Sequence, residues 1–161
     1  MPKVKNQPLY FILQNIRSLY NVGSLFRSAD GLGVDKIFLC GYTGTPPRKE
    51  ISKTALGAET TVPWEHHHQT ARLIKQLKKD GVQIVALELT KGAVDLKTFK
   101  PKFPLAIILG NEVLGITPAI LKLADAVVQI PMRGGKESLN VSVAGGIAGY
   151  ILAAQRMKHD V

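Results

Sequence analysis

One cysteine in 161 residues cannot close an internal disulfide, so the chain suits a reducing compartment. That residue, Cys40, ends the apolar run "KIFLC" and reads as a small buried hydrophobe rather than a nucleophile. No uncharged apolar run approaches the roughly 20 residues a membrane span needs, and no signal-peptide pattern follows Lys3 and Lys5. A cytoplasmic protein is expected. Repeats, low-complexity stretches and linkers are absent, so one domain is expected over residues 1–161. Acids are scarce: 12 Asp and Glu face 21 Lys and Arg, for a net charge of +9. That excess fits a polyanion such as nucleic acid, although small basic proteins need not bind one.

Two nucleotide fingerprints are missing. Gly31 and Gly33 do not form G-x-G-x-x-G, and "GGKES" lacks the glycine spacing and the hydroxyl residue after Lys136 that a P-loop needs. His66, His67 and His68 stand together, but no cysteine or second histidine cluster completes a tetrahedral site. No metal is expected, and the three histidines are read as the solvated first turn of a helix.

What is present is a succession of apolar runs: Leu9–Leu13, Lys36–Cys40, Val82–Leu89, Pro104–Leu109 and Ala126–Ile130. Their near-continuous apolarity predicts strands buried on both faces of a parallel sheet. Helices are predicted over Val22–Gly31, Glu65–Lys79, Pro118–Leu123 and Asn140–Met157. "GYTGTPPRKE" is read as loop because of its glycines and paired prolines. The sum is a single-domain α/β fold with a parallel sheet.

Such sheets bind ligands just beyond the carboxyl ends of their strands. Three of those ends stand out: "QNIRSLYNVGSLFRSADGLG", "GNEVLGI" and "PMRGGKESLN". In the first, Asn21 suits a helix N-cap and Arg27 falls on the second turn. In the second, Glu112 is bracketed by Gly110 and Gly115, as a turn acceptor for backbone amides or as a ligand group. In the third, Ser138 and Asn140 precede an Ala/Gly helix and either cap it or help its amides hold a polar ligand. Small residues at Ala144, Gly145, Ala148 and Gly149 predict close packing against a helix or a second subunit.

Taken in order, "NIRSLYNVGSLFRSADGLGVDKIFLCG" with "ALGAE", "LAIILGNEVLGI" and "VVQIPMRGGKESLNVSVAGGIAGYILAAQR" resemble the three motifs of the SpoU/TrmH-type 2′-O-ribose RNA methyltransferases of the SPOUT superfamily. The resemblance covers nearly the whole chain. It implies an α/β fold with a C-terminal deep trefoil knot, which periodicity does not reveal. It implies S-adenosylmethionine held by the knotted loops, with Leu87, Glu88, Leu109, Gly110, Ile130, Met132 and Leu139 around it. Gly134 and Gly135 would let the chain turn sharply and approach that cofactor.

The same resemblance maps catalytic roles onto Asn21, Arg27, Glu112, Ser138 and Asn140, and implies a homodimer acting on structured tRNA or rRNA. Arg27 is the family's proposed activator of the ribose hydroxyl. A guanidinium stays protonated, so phosphate binding with stabilisation of the developing alkoxide is the alternative role. The chain departs from many relatives in its ends: the first strand begins early and a short "RMKHDV" tail follows the last helix. Without an N-terminal RNA-binding extension, RNA capture falls to the surface, with Arg17, Arg133 and Lys136 as candidates and Arg48, Lys49 and Lys53 beside them. A helper protein is a further option. The rival readings are a non-catalytic basic RNA-binding or ribosome-assembly factor on the same scaffold, and a base methyltransferase.

Overall fold

The computed structural model describes residues 7–158. The elements run β1 (Leu9–Gln14), α1 (Leu19–Leu32), β2 (Lys36–Cys40), α2 (Lys49–Ala55), α3 (Ala58–Thr61), β3 (Trp64–His67) and α4 (Thr70–Lys79). They continue with β4 (Gln83–Leu87), β5 (Val94–Asp95), β6 (Leu105–Leu109), α5 (Pro118–Leu121), β7 (Ala126–Gln129) and α6 (Val141–Lys158). The strands form one sheet in the order β3-β2-β1-β6-β4-β7-β5, and every pairing is parallel.

All five apolar runs became strands, four of them buried on both faces as expected, while β7 is half-buried with only Val128 fully inside. β1 and β6 are central, and alternate residues enter two separate cores. Leu9, Phe11 and Leu13 join Leu105, Ile107 and Leu109 beneath α1, α2 and α6, while Ile12, Ala106 and Ile108 face α4 and α5. Cys40 is fully buried in the second core. Burial pushes its thiol up to about 12, so it is a packing residue.

The Ala/Gly composition of α6 has a steric cause within the chain. A Cβ on Gly145 would come within 2.6 Å of Leu25 and 2.9 Å of Leu109. On Gly149 it would come within 2.8 Å of Leu32 and 2.9 Å of Phe11. The smooth face therefore lies on α1 and the sheet, and helix propensity is sacrificed for close approach. Arg156 closes the far end of this contact, its Nη1 donating to Asp35 at 3.1 Å.

Several expectations need correction. Asn21 is not the N-cap of α1. Ser18 is, its hydroxyl accepting from Asn21 N at 3.2 Å, so α1 begins earlier and Arg27 lies on its third turn. His66 and His67 belong to edge strand β3 rather than to a helix, and α4 starts only at Thr70. β3 pairs in register with β2, and this tertiary pairing overrides the polar, helix-like appearance of "WEHHH". Lys49 and Glu50 already belong to α2, after the Pro-rich loop. α6 takes in Arg156 to Lys158, and residues 159–161 of the expected tail lie outside the described residues.

Candidate functional site

With every strand parallel, their C-terminal ends share one rim of the sheet. The loops leaving β4, β6 and β7 there enclose a cleft of about 370 Å³, within the range of small-molecule sites. All seven residues expected around a cofactor line it: Leu87 and Glu88 after β4, Leu109 and Gly110 after β6, and Ile130, Met132 and Leu139 after β7. Glu112, Ser138 and Asn140 line it as well. Sequence reasoning missed Leu89, Asn111, Val113, Gly115, Val141 and Ala144, whose positions beside motif residues were the available signal.

The loop after β6 is folded by its own polar residues. Asn111 Oδ1 accepts from Val113 N and Leu114 N, both at 2.8 Å, and Asn111 and Gly115 exchange backbone hydrogen bonds. Gly115 has φ of +68°, which favours glycine. A Cβ on Gly110 would come within 2.6 Å of the Gly115 carbonyl carbon, so the turn closes only because this position is bare. Glu88 braces it from β4, accepting from Ile116 N at 2.9 Å. Its other carboxylate oxygen accepts no hydrogen bond among the described residues.

Glu112 joins this loop to α1. Its carboxylate accepts from Arg17 N at 2.9 Å, Ser18 N at 3.0 Å and Asn21 Nδ2 at 3.1 Å. Burial raises its pKa, but those three donors outweigh burial and hold the carboxyl below the ordinary range. Glu112 is therefore a turn acceptor whose main donors belong to the segment entering α1. Asn21 Oδ1 in turn accepts from Asn140 Nδ2 at 3.4 Å. Asn140 caps α6, its Oδ1 accepting from Ser142 N at 2.9 Å and Val143 N at 3.4 Å.

Three of the five expected catalytic residues thus form one hydrogen-bonded row, Glu112–Asn21–Asn140. Ser138 lies in the same cleft wall, exposed. Arg27 does not join them. It stands six residues after Asn21, roughly 9 Å down the helix and turned about 240°, exposed and without a hydrogen bond or ion pair among the described residues. Arg17 sits on the rim through its amide contact with Glu112, and Arg133 and Lys136 are exposed on the loop after β7. Gly134 and Gly135 have no positive φ, and an added Cβ would meet nothing within 4 Å, so the chain itself makes no demand for glycine there.

The charge inside the cleft is one-sided. Two carboxylates, Glu88 and Glu112, line it, and none of its lining residues is Lys or Arg. On a protein of net charge +9, such a cleft favours a ligand with a cationic centre over a phosphate. No group of three or more His, Cys, Asp or Glu able to hold a metal occurs among the described residues. None of their helices is long and apolar enough to cross a membrane.

Residues 8–150 match the model of the SpoU rRNA Methylase family. The chain belongs to this family. It is 34% identical over 152 residues to the 23S rRNA (guanosine-2′-O-)-methyltransferase RlmB of Vibrio vulnificus, across 93% of this chain and 60% of that protein. It is 33% identical over 153 residues to the tRNA (guanosine(18)-2′-O)-methyltransferase of Escherichia coli K12, across 94% of this chain and 66% of that protein. The chain therefore spans about 60% of the length of the first of these relatives. Among solved structures, an AdoMet-bound rRNA methyltransferase from Sinorhizobium meliloti superposes with a TM-score of 0.86 at 29% identity, over 98% of this chain and 59% of that one. The second and third family motifs supply the loops after β6 and β7, the loop after β4 completes the wall, and the first motif reaches the cleft through Asn21, which bonds Glu112 and Asn140.

Proposed function

We propose that this chain transfers a methyl group from S-adenosylmethionine to a ribose 2′-hydroxyl of tRNA or rRNA. The observation that carries the reading is the cleft itself, walled by the second and third family motifs and the loop after β4 and lined by carboxylates without a cation. S-adenosylmethionine supplies an electrophilic methyl on a cationic sulfur, which suits such a lining. Leu87, Leu109, Ile130 and Leu139 offer apolar walls for the adenine, Glu88 offers a free carboxylate oxygen, and Gly110 and Met132 complete the enclosure.

The chain's own task is to orient a weak nucleophile, whose proton passes to the substrate phosphate or to water as the methyl carbon is attacked. Glu112 fixes the start of α1, Asn21 passes that constraint to Asn140, and Ser138 contacts the substrate beside them. Arg27 binds the target phosphate and stabilises the developing alkoxide, because a guanidinium is a poor base. Arg17, Arg133 and Lys136 bind the RNA backbone around the cleft.

The same reading includes a single methyltransferase domain, a trefoil knot in the C-terminal third, a cytoplasmic setting and a homodimer. For the dimer, α6 offers an apolar stripe on its outer side: Val143, Ile147 and Tyr150 are 50%, 37% and 67% exposed, at helical spacing. The test is methyl transfer from labelled S-adenosylmethionine to unmodified tRNA and rRNA, with calorimetry of cofactor binding alongside. Arg27→Ala should abolish transfer while leaving cofactor affinity nearly intact, and a parallel loss of affinity would remove its catalytic role. Neutralising Arg133 and Lys136 should weaken RNA binding and flatten its salt dependence by a slope of about 0.7–0.9 per contact.

A further inference from the structure

The cleft occupies only the β6, β4 and β7 part of the rim, and the rim continues past β1 and β2 to β3. Three strand spacings from β6, roughly 15 Å away, a second hollow of about 480 Å³ opens where β3 meets α4. His66, His68, Gln69, Arg72 and Gln76 line it, and no carboxylate does. Nearby Glu65 is already engaged by His67 Nε2 at 2.8 Å and Lys36 Nζ at 3.0 Å. His68 and Arg72 are exposed and make no hydrogen bond or ion pair among the described residues. The two hollows therefore have opposite lining: acidic at the cleft, basic and polar at the end of β3.

Tyr42 stands between them. Its side is 60% exposed, yet it is held at both ends. Its N–H donates to Asn15 Oδ1 at 3.1 Å, and its hydroxyl accepts from Asn111 Nδ2 at 2.8 Å, the same group that donates to Asn15 O. The preceding residue ties it to the histidines: Gly41 N donates to His67 O, and His66 Nε2 donates to Gly41 O, both at 3.0 Å. Hydrogen bonds and the Gly41–Tyr42 peptide thus link the basic hollow through Tyr42 to Asn111 in the cleft wall.

Resting on the RNA-methyltransferase reading, we propose that this rim is the path of single-stranded RNA flanking the methylated nucleotide, with Tyr42 stacking on a base and the His66/His68/Arg72 hollow holding the next phosphates. A ring fixed at both ends and open on its face is a stacking platform that loses little freedom on binding. An unpaired guanidinium beside imidazoles suits phosphate oxygens. The path keeps the phosphates away from the cofactor cleft, whose acidic lining would repel them.

The test is fluorescence anisotropy with fluorescein-labelled oligouridine, with S-adenosylhomocysteine calorimetry and thermal melts on each variant. Tyr42→Ala should weaken oligouridine binding about tenfold or more, while Tyr42→Phe, which keeps the ring, should stay within about twofold. Arg72→Ala should weaken binding and reduce the salt slope by about 0.7. Arg72→Ala should keep its melting point, the two Tyr42 variants should melt slightly lower for the lost bond to Asn111, and all should keep cofactor affinity. If the unaltered chain binds oligouridine but Tyr42→Ala and Arg72→Ala bind equally well, the path is wrong and the methyltransferase reading stands. If Tyr42→Phe loses as much as Tyr42→Ala, stacking is wrong. If the unaltered chain binds neither oligouridine nor unmodified tRNA at low salt, the RNA reading fails and the path falls with it.

Discussion

Replacing Glu112 with Gln tests the link between the β6 loop and α1. The native carboxylate accepts from two backbone amides and from Asn21 Nδ2. Gln keeps one oxygen and turns an N–H group toward donors, so at least one amide loses its partner. A hydrogen bond to a charged group contributes about 1.5–3 kcal/mol, and the partly buried position argues for the lower half of that range, about 2 kcal/mol. For a chain of this size that lowers the melting temperature by roughly 4–8 °C. The loss should depend on pH. The folded carboxyl lies below its ordinary value, so its stabilisation is complete above the unfolded pKa of about 4.3 and disappears as pH falls through the folded value. Urea unfolding of both proteins from pH 7 to pH 3 should show a gap that is widest near neutrality and narrows below about pH 4. A gap of constant size across that range would refute the assignment of Glu112 as a charged acceptor.

Other consequences are open to direct measurement. Gly145→Val and Gly149→Val should each destabilise the fold by about 1–3 kcal/mol through forced separation of α6 from α1; unchanged urea midpoints would show that the close approach is not needed. Cys40 should resist an aromatic disulfide reagent at pH 8 in the folded chain and react fully in urea, since burial holds its thiol up at about 12. Ile147→Asp should shift sedimentation from dimer to monomer with little change in melting of the single subunit; a persisting dimer would place the interface elsewhere. Asn140→Ala should cost about 1 kcal/mol as a lost helix cap and reduce methyl transfer far more than cofactor binding.

The parts of this molecule that were legible in its sequence are those fixed by local pattern. Leu9–Leu13, Lys36–Cys40 and Leu105–Leu109 are apolar on both faces because an interior parallel strand is covered on both sides. β3 was not legible, because an edge strand needs only one good partner and tolerates Glu and His on its open side. α2 was hidden behind paired prolines, which end a loop as readily as they continue one. In the cleft, motif order located Glu112 and Asn140, but not the hydrogen bonds that join them through Asn21. Those cross 91 and 119 residues of chain, and the pairing of β6 with β1 and the packing of α6 on α1 bring them together. Tyr42 carried no signal at all, since its significance lies in what Asn15 and Asn111 do to it.

The most direct test of the account is nucleoside mass spectrometry. The purified chain, S-adenosylmethionine and separate pools of unmodified tRNA and rRNA are incubated, and the RNA is digested to nucleosides. A new 2′-O-methylnucleoside should appear in one pool and be lost with Arg27→Ala. Cofactor binding without any new methylated ribose in either pool, or methylation confined to a base, would contradict the account.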